Sequence, residues 1–249
     1  MPACRPSPEP GSEAGSTPPA PVPPGAAARP APSAPVGRGF IEGQVRLTGT
    51  PPPPAMLATS ATVAAACGEQ VPDRSLTVGE QGALAQVVVS LADGAALPAQ
   101  GVTAPVTVLD QRKCTYEPAA LAALAGSTLE VRNSDHVMHN VRAVAGARTL
   151  FNEAMPLHRM TLKKKLPAAP GTVQVKCDVH PWMHAVVRTF DHPYFASTDA
   201  QGRFRLEVPE GTHSLVLWHS RLPEASRPLT VKAGETVRLE QVWDVAQLR

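Results

Sequence analysis

The sequence predicts an all-β protein assembled from β-sandwiches, and two observations predict it. Short segments alternate apolar and polar residues with a period of two, the pattern of half-buried strands. Turn signals built on Gly, Pro, Asn and Asp punctuate the second half of the chain about every eight to twelve residues, the spacing of a sandwich. At 249 residues the chain has room for one large domain or two small ones.

Residues 1–37 hold twelve prolines and no aromatic residue. Such a stretch buries too little apolar surface to offset chain entropy, so it reads as a disordered, extended linker. Order is expected from about Gly39, where Ile41, Gly43, Val45 and Leu47 alternate with polar residues as a strand. Pro51 to Pro54 break it. Ala58 to Ala66 stays open, because its alanines favour helix and its Thr and Val favour strand. Gln86 to Leu91 is apolar at nearly every position and predicts a strand buried on both faces. Residues 92–104 read as a loop. Pro105 to Leu109 and Leu121 to Leu124 lead into a strand at Ser127 to Arg132, although Ala119 to Ala125 can also pass for a helical turn.

Asn133-Ser134-Asp135 is a turn, and His139 to Val144 is the strand that leaves it. Leu150 to Pro156 reads as a loop, and Met160 to Leu166 as a strand. From Thr172 to Cys177 the chain alternates, with Val173, Val175 and Cys177 on one face; Ala185 to Phe190 is the next strand. Thr198 to Phe204 is a tight polar turn into the alternating strand of Phe204 and Leu206. Pro209 to Thr212 is another turn. His213 to Trp218, Leu229 to Lys232 and Thr236 to Val242 complete the strands.

Composition excludes several classes. The formal charge is +2, from 23 basic and 21 acidic residues, which gives no electrostatic reason to expect nucleic acid. Lys163-Lys164-Lys165 is the one basic run, and a solvated strand explains it. Aromatic residues make up 4%, too few for a base-stacking platform. No run of about 18 apolar residues is present, so no membrane span is expected.

One motif carries chemistry: Cys177-Asp178-Val179-His180-Pro181-Trp182-Met183, read together with His139-Asn140. A thiol, an imidazole and a thioether stand three residues apart, and a second imidazole waits on an earlier strand. Two His and one Cys in a plane, with a weak axial Met, are the ligand set of an electron-transfer copper site. At this composition the Cys-x2-His-x2-Met spacing arises by chance roughly three times in a thousand chains, so the signal is specific. His180 and Met183 fall on a short loop between two strands, which Pro181 stiffens. The strands bring that loop and the His139 loop to one end of a sandwich.

These residues carry a resemblance. His139-Asn140-Val141 followed by Cys-x2-His-x2-Met is similar to the cupredoxins, above all to amicyanin and its plastocyanin relatives. The longer pattern through residues 133–141, 151–152, 177–183, 191–195, 198–204 and 208–219 resembles bacterial cupredoxin-domain proteins of the methylamine-utilisation type, over about residues 40–245. The resemblance implies a Greek-key cupredoxin sandwich that binds one type 1 copper through His139, Cys177, His180 and Met183. It implies that Asn140 ties the two ligand loops together and donates its N–H toward the sulfur, and that Pro181 and Trp182 lie where partners dock. His136, three residues before His139, is the alternative first ligand. The tail, with its Thr-Asp-x2-Gly-x-Phe and Pro-x-Gly-Thr runs, resembles carboxypeptidase-regulatory-like (transthyretin-like) modules. The expected division is a linker at 1–37, one part of that module at 38–99, the cupredoxin at 100–192 and the module's second part at 193–249. On this reading the copper domain is inserted in a loop of the other sandwich; the alternative is a cupredoxin flanked by an extension and an independent tail.

Cys67 and Cys114 remain as a candidate disulfide, which would imply an oxidising compartment. The spacing alone does not prove the bond, and two buried thiols are the alternative. Cys4, heading a spacer, resembles the lipid-attachment cysteine of a bacterial lipoprotein, but the apolar segment that should precede it is missing. Either the true start lies upstream, or a signal was trimmed, or Cys4 is incidental. The function expected is a type 1 copper-binding, extracytoplasmic one-electron carrier that serves an unidentified redox partner protein. The alternatives are copper storage or delivery, and a tethered binding module with a non-redox metal site. An enzyme is not expected, since no His-x-His pair of an additional copper site and no C-x-x-C-H haem motif occurs.

Overall fold

The computed structural model describes Met1 and residues 37–97 and 106–249. Cys4 and the stretch 2–36 of the expected linker lie outside the described residues. The regular secondary structure of the described chain is nearly all β. Strand β1 (Arg38–Thr48) comes first. After the prolines a strap runs through β2 (Met56–Ala58), one helical turn α1 (Ala64–Cys67) and β3 (Gln70–Pro72). Strand β4 (Val88–Leu91) follows, buried at every residue. Then come β5 (Thr107–Arg112), β6 (Thr115–Glu117), β7 (Ala120–Leu124), β8 (Thr128–Asn133) and β9 (His139–Ala145). They are followed by β10 (Arg148–Met155), β11 (Thr161–Lys165), β12 (Gly171–Lys176) and β13 (His184–Phe190). The chain ends with β14 (Phe195–Ser197), β15 (Arg203–Pro209), β16 (Gly211–Trp218), β17 (Ala225–Val231) and β18 (Thr236–Asp244).

These strands form two sandwiches. The first pairs a sheet of order β15-β1-β18 with one of order β14-β4-β16-β17. Ile41, Val89, Leu206, Leu215 and Trp243, drawn from both sheets, share one core. β1 is central: Ile41 stands opposite Leu206 on β15 and Val237 on β18. β4 is central in the other sheet, with Ser90 opposite Phe195 and Val216. Strands from residues 38–91 are thus completed by strands from residues 195–244. The strands between, β5 to β13, build the second sandwich, with sheets β10-β9-β12-β13-β7 and β11-β8-β5-β6 around Leu109, Leu129, Val141 and Val175.

Local chemistry explains the turns. Asp199 accepts the N–H groups of Gln201 and Arg203 at 2.9 and 2.8 Å and closes the polar turn into β15. Gly202 there has φ +69°, and a Cβ would come within 2.3 Å of the Val45 carbonyl oxygen, so only glycine fits.

One stretch differs from the sequence reading, and two that it left open are resolved. Leu150 to Pro156, expected as a loop, lies for the most part in β10, which pairs antiparallel with β9 from Arg148 opposite Ala145 to Met155 opposite His139. A register shift between Thr149 and Phe151 breaks the period of two, which hid the strand. Ala58 to Ala66, left open, is mostly a turn between the last residue of β2 and the start of α1. Ala119 to Ala125 resolves as strand, since Ala120–Leu124 pairs in parallel with Val186–Phe190.

The sandwiches are joined by specific contacts. Gln86 Oε1 accepts the N–H groups of Ala119 and Ala120 at 2.9 and 3.2 Å and so caps the start of β7. The Arg188 guanidinium on β13 lies 5.0 Å over the Trp218 ring on β16.

Candidate metal centre

Two loops meet at one end of the second sandwich. On β12, Val173 and Val175 point into the core, and Cys177 continues that face just past the strand. The next residues turn sharply. The Met183 N–H donates to the His180 carbonyl at 2.8 Å, and the Cys177 N–H to the Met183 carbonyl at 3.2 Å. This closure aims His180 back at the thiol. His139 opens β9, and its ring reaches the same point from the other loop.

His139 Nδ1 and His180 Nδ1 stand 2.8 Å apart, and Cys177 Sγ lies 3.6 Å from His180 Nδ1. One ligating atom from each of the three residues falls within 4.8 Å of the others. Both imidazoles are fully buried and Cys177 is 2% exposed. Met183 is buried in the same core. His136, the alternative ligand, is not in this group: it is exposed and stacks on His158 with 3.8 Å between ring centroids. The His180 ring is flanked by half-buried Trp182 at 5.1 Å, while Pro181 is exposed.

The surroundings fix the donors. Asn140 donates its N–H to Cys177 Sγ at 3.4 Å. Its side-chain oxygen accepts the Asp178 N–H, and its amide nitrogen donates to Asn152 and Asp178. The Asn140 carbonyl accepts from Tyr116 Oη and Gln111 Nε2, both at 3.0 Å. Asp135, a residue the sequence reading placed only in a turn, accepts from His139 Nε2 at 3.0 Å. Its position four residues before His139 was the available signal. Because an ionised carboxylate accepts only, His139 Nε2 is the donor to Asp135, and Nδ1 is the ring nitrogen left facing the thiol and His180.

Electrostatics follow. Burial pushes the Cys177 thiol up, but hydrogen bonds from His139, His180 and the Asn140 N–H outweigh it and bring the thiol down to about 6. Burial pushes the His139 imidazole down, yet Asp135 and Cys177 hold it above its ordinary value. Burial raises the Asp135 carboxyl, and its bonds to His139, Cys114 and Lys113 lower it below the usual range. Anionic sulfur and carboxylate on either side of an imidazole favour positive charge at this point.

A metal fits such a donor set. Bonds of about 2.0 Å to nitrogen and 2.3 Å to sulfur put neighbouring donors roughly 3–4 Å apart. The Sγ–Nδ1 separation lies in that range, and the two nitrogens are slightly closer. The Cys67–Cys114 disulfide is present and closes 47 residues of chain near this end. Cys114 and Asp135 also lie close around His139, but the Cys114 sulfur is bonded to Cys67 and offers no thiolate.

No protein-family model matches the chain, and no curated protein matches it. Among solved structures, an amicyanin variant in its reduced Cu(I) form is 27% identical over 38% of this chain and 90% of its own, with a TM-score of 0.31. A purple cupredoxin from Nitrosopumilus maritimus is 22% identical over 34% of this chain and 99% of its own, with a TM-score of 0.30. A copper-containing nitrite reductase from Thermus scotoductus is 18% identical over 38% of this chain, with a TM-score of 0.31; the chain spans about a quarter (24%) of that enzyme. What the centre binds is decided by its own donor atoms.

Proposed function

We propose that His139, Cys177 and His180 hold one copper ion, with Met183 as a weak axial ligand, and that the protein is a type 1 copper carrier of single electrons. The observation that carries this reading is the convergence of one thiol and two Nδ1 atoms at a fully buried point, with a peptide N–H aimed at the sulfur. Copper would supply the one-electron couple. The residues supply a lowered thiol, an imidazole fixed in one tautomer, and two loops tied together by Asn140, so that both oxidation states meet nearly the same cage. Burial of all three donors favours electron carriage over storage or delivery, which need an exchange route to the ligands. It also leaves no open position for substrate, and we read the protein as not an enzyme.

Met138, next to His139, and Val179, next to His180, are exposed apolar residues, as is Pro181. They form the surface at which a redox partner protein would dock. The disulfide supports an extracytoplasmic compartment. No helix among the described residues is long and apolar enough to cross a membrane; a lipid anchor at Cys4 would attach the chain without a span. The first sandwich is read as a carboxypeptidase-regulatory-like module that carries the cupredoxin as an insertion.

The test is visible absorption and electron paramagnetic resonance after adding Cu(II), with Cys177→Ser alongside. An intense thiolate-to-copper band with narrow hyperfine splitting, lost in the variant, is expected. A pale, ordinary copper spectrum that the substitution leaves unchanged would rule out the ligand assignment.

A further inference from the structure

Lys113 and Cys114 are the two residues that join β5 to β6, with Arg112 opposite Thr115 on the strands. Both have positive φ, +52° and +54°. Two successive left-handed residues mark a type I′ hairpin turn, which normally takes Asn-Gly. Lys and Cys carry a Cβ that disfavours this conformation. A backbone held in a sparsely populated region persists only where its surroundings over-determine it.

Three contacts do so here. The N–H groups of Lys113 and Cys114 both donate to the Asp135 carboxylate, at 2.7 and 2.8 Å. The Cys114 carbonyl accepts from Trp182 Nε1 at 2.9 Å. The Cys114 sulfur is bonded to Cys67 on the strap. The first contact leads to one ligand loop, since the Asp135 oxygen that accepts the Cys114 N–H also holds His139 Nε2. The second leads to the other loop, since Trp182 flanks His180.

We propose that Cys114 is a positioning residue for the metal centre: its peptide N–H and C=O tie the His139 loop to the His180 loop, and the disulfide to Cys67 keeps the Lys113–Cys114 turn in the conformation that makes both bonds. The proposal deepens the copper reading and rests on it for its metal readout. A second readout needs no metal. In the metal-free protein the buried His139 ring donates its Nε2 proton to the Asp135 carboxylate, so it gives a downfield, slowly exchanging imidazole N–H resonance.

Cys67→Ser breaks the tie and keeps the Cys114 backbone. The expected result is loss of that resonance by exchange broadening, and release of Cu(II) to a chelator about 10-fold faster or more, the scale on which outer-shell partners of a ligand act. Adding Lys113→Asn and Cys114→Gly to Cys67→Ser installs a turn that forms unaided. It is expected to restore the resonance and most of the slow release, which it would not do if the disulfide merely pinned the strap. A folded Cys67→Ser with resonance and release unchanged overturns the proposal, as does a triple variant no better than Cys67→Ser. Should Cys67→Ser fail to fold, Trp182→Phe removes the donor to Cys114, together with part of the ring beside His180, and keeps the disulfide. Severalfold faster release then supports the proposal, and an unchanged rate overturns it. If the unmodified protein shows no thiolate-to-copper band, the copper reading fails alone, and the metal-free resonance still decides the role of Cys114.

Discussion

His219 lies just beyond β16 at 2% exposure, and its Nδ1 accepts the N–H of Arg221 at 3.2 Å. That bond requires the neutral ring. Burial, with the nearby Arg221 charge, lowers the imidazole to about 4 from an ordinary 6.5. The folded value is depressed, so between these two values the unfolded chain binds the extra proton. The contribution to stability is full above pH 6.5 and is lost as the pH falls toward 4, an order-of-magnitude effect of about 3 kcal/mol. His219→Asn keeps an acceptor and does not titrate. Denaturant unfolding at pH 7.5 and pH 4.5 should show a smaller loss of stability in the variant than in the unmodified protein; equal losses would mean that His219 is not held neutral. Met183 allows a second test at this scale. Leu conserves its volume in the core, so folding stability should change by less than about 1.5 kcal/mol. If the thioether is the axial ligand, Met183→Leu keeps the thiolate band and raises the copper midpoint potential, a tenfold change in preference between the oxidation states being about 59 mV. A potential that stays put would leave Met183 as packing alone.

Among the elements, the strap from β2 to β3 has little core of its own. Val71 is buried in β3, whereas α1 buries no residue. The Cys67–Cys114 bond joins the strap covalently to the β5–β6 turn. Closing 47 residues is worth about 4 kcal/mol in the chain-entropy account. Reduction by a dithiol should lower the denaturation free energy by roughly this amount and expose the strap to protease before either sandwich; no change on reduction would show that non-covalent contacts suffice. The strap and this turn were also the parts least legible in the sequence. The alternation of β1, β12 and β15 gave both their faces and their place in the cores, because a buried face demands a period of two. The meeting of Cys177 and His180 was legible because spacing alone puts Cys177, His180 and Met183 on one short loop. Strand β10 was missed where a register shift spoils the period. The Lys113–Cys114 turn was missed because neither residue is Gly or Asn; its conformation is imposed by a carboxylate, an indole and a disulfide from distant parts of the chain. Asp135 was legible only as a turn residue, since its bond to His139 depends on how the turn folds.

For the whole molecule, the sheet order makes a prediction about which pieces can stand alone. β1 is flanked on both sides by strands from beyond residue 200, and β4 by strands from beyond residue 190. A chain that stops at residue 192 removes both neighbours of each, and its first sandwich cannot form. The reverse excision is different. Leu91 and Tyr194 are joined by a backbone hydrogen bond of 3.1 Å, at the point where β4 and β14 run antiparallel. The chain thus leaves and re-enters the first sandwich side by side, the geometry in which a two-residue hairpin turn can replace whatever lies between. Residues 36–92 joined through Asn-Gly to residues 193–249 should therefore give a soluble protein with a strand-type circular dichroism spectrum and one cooperative unfolding transition. Some stability should be lost, because Gln86 loses the two N–H groups it caps and Trp218 loses the Arg188 guanidinium. An excised chain that does not fold would mean that the first sandwich depends on those contacts, and that the two sandwiches are a single cooperative unit and not a carrier with an inserted cargo.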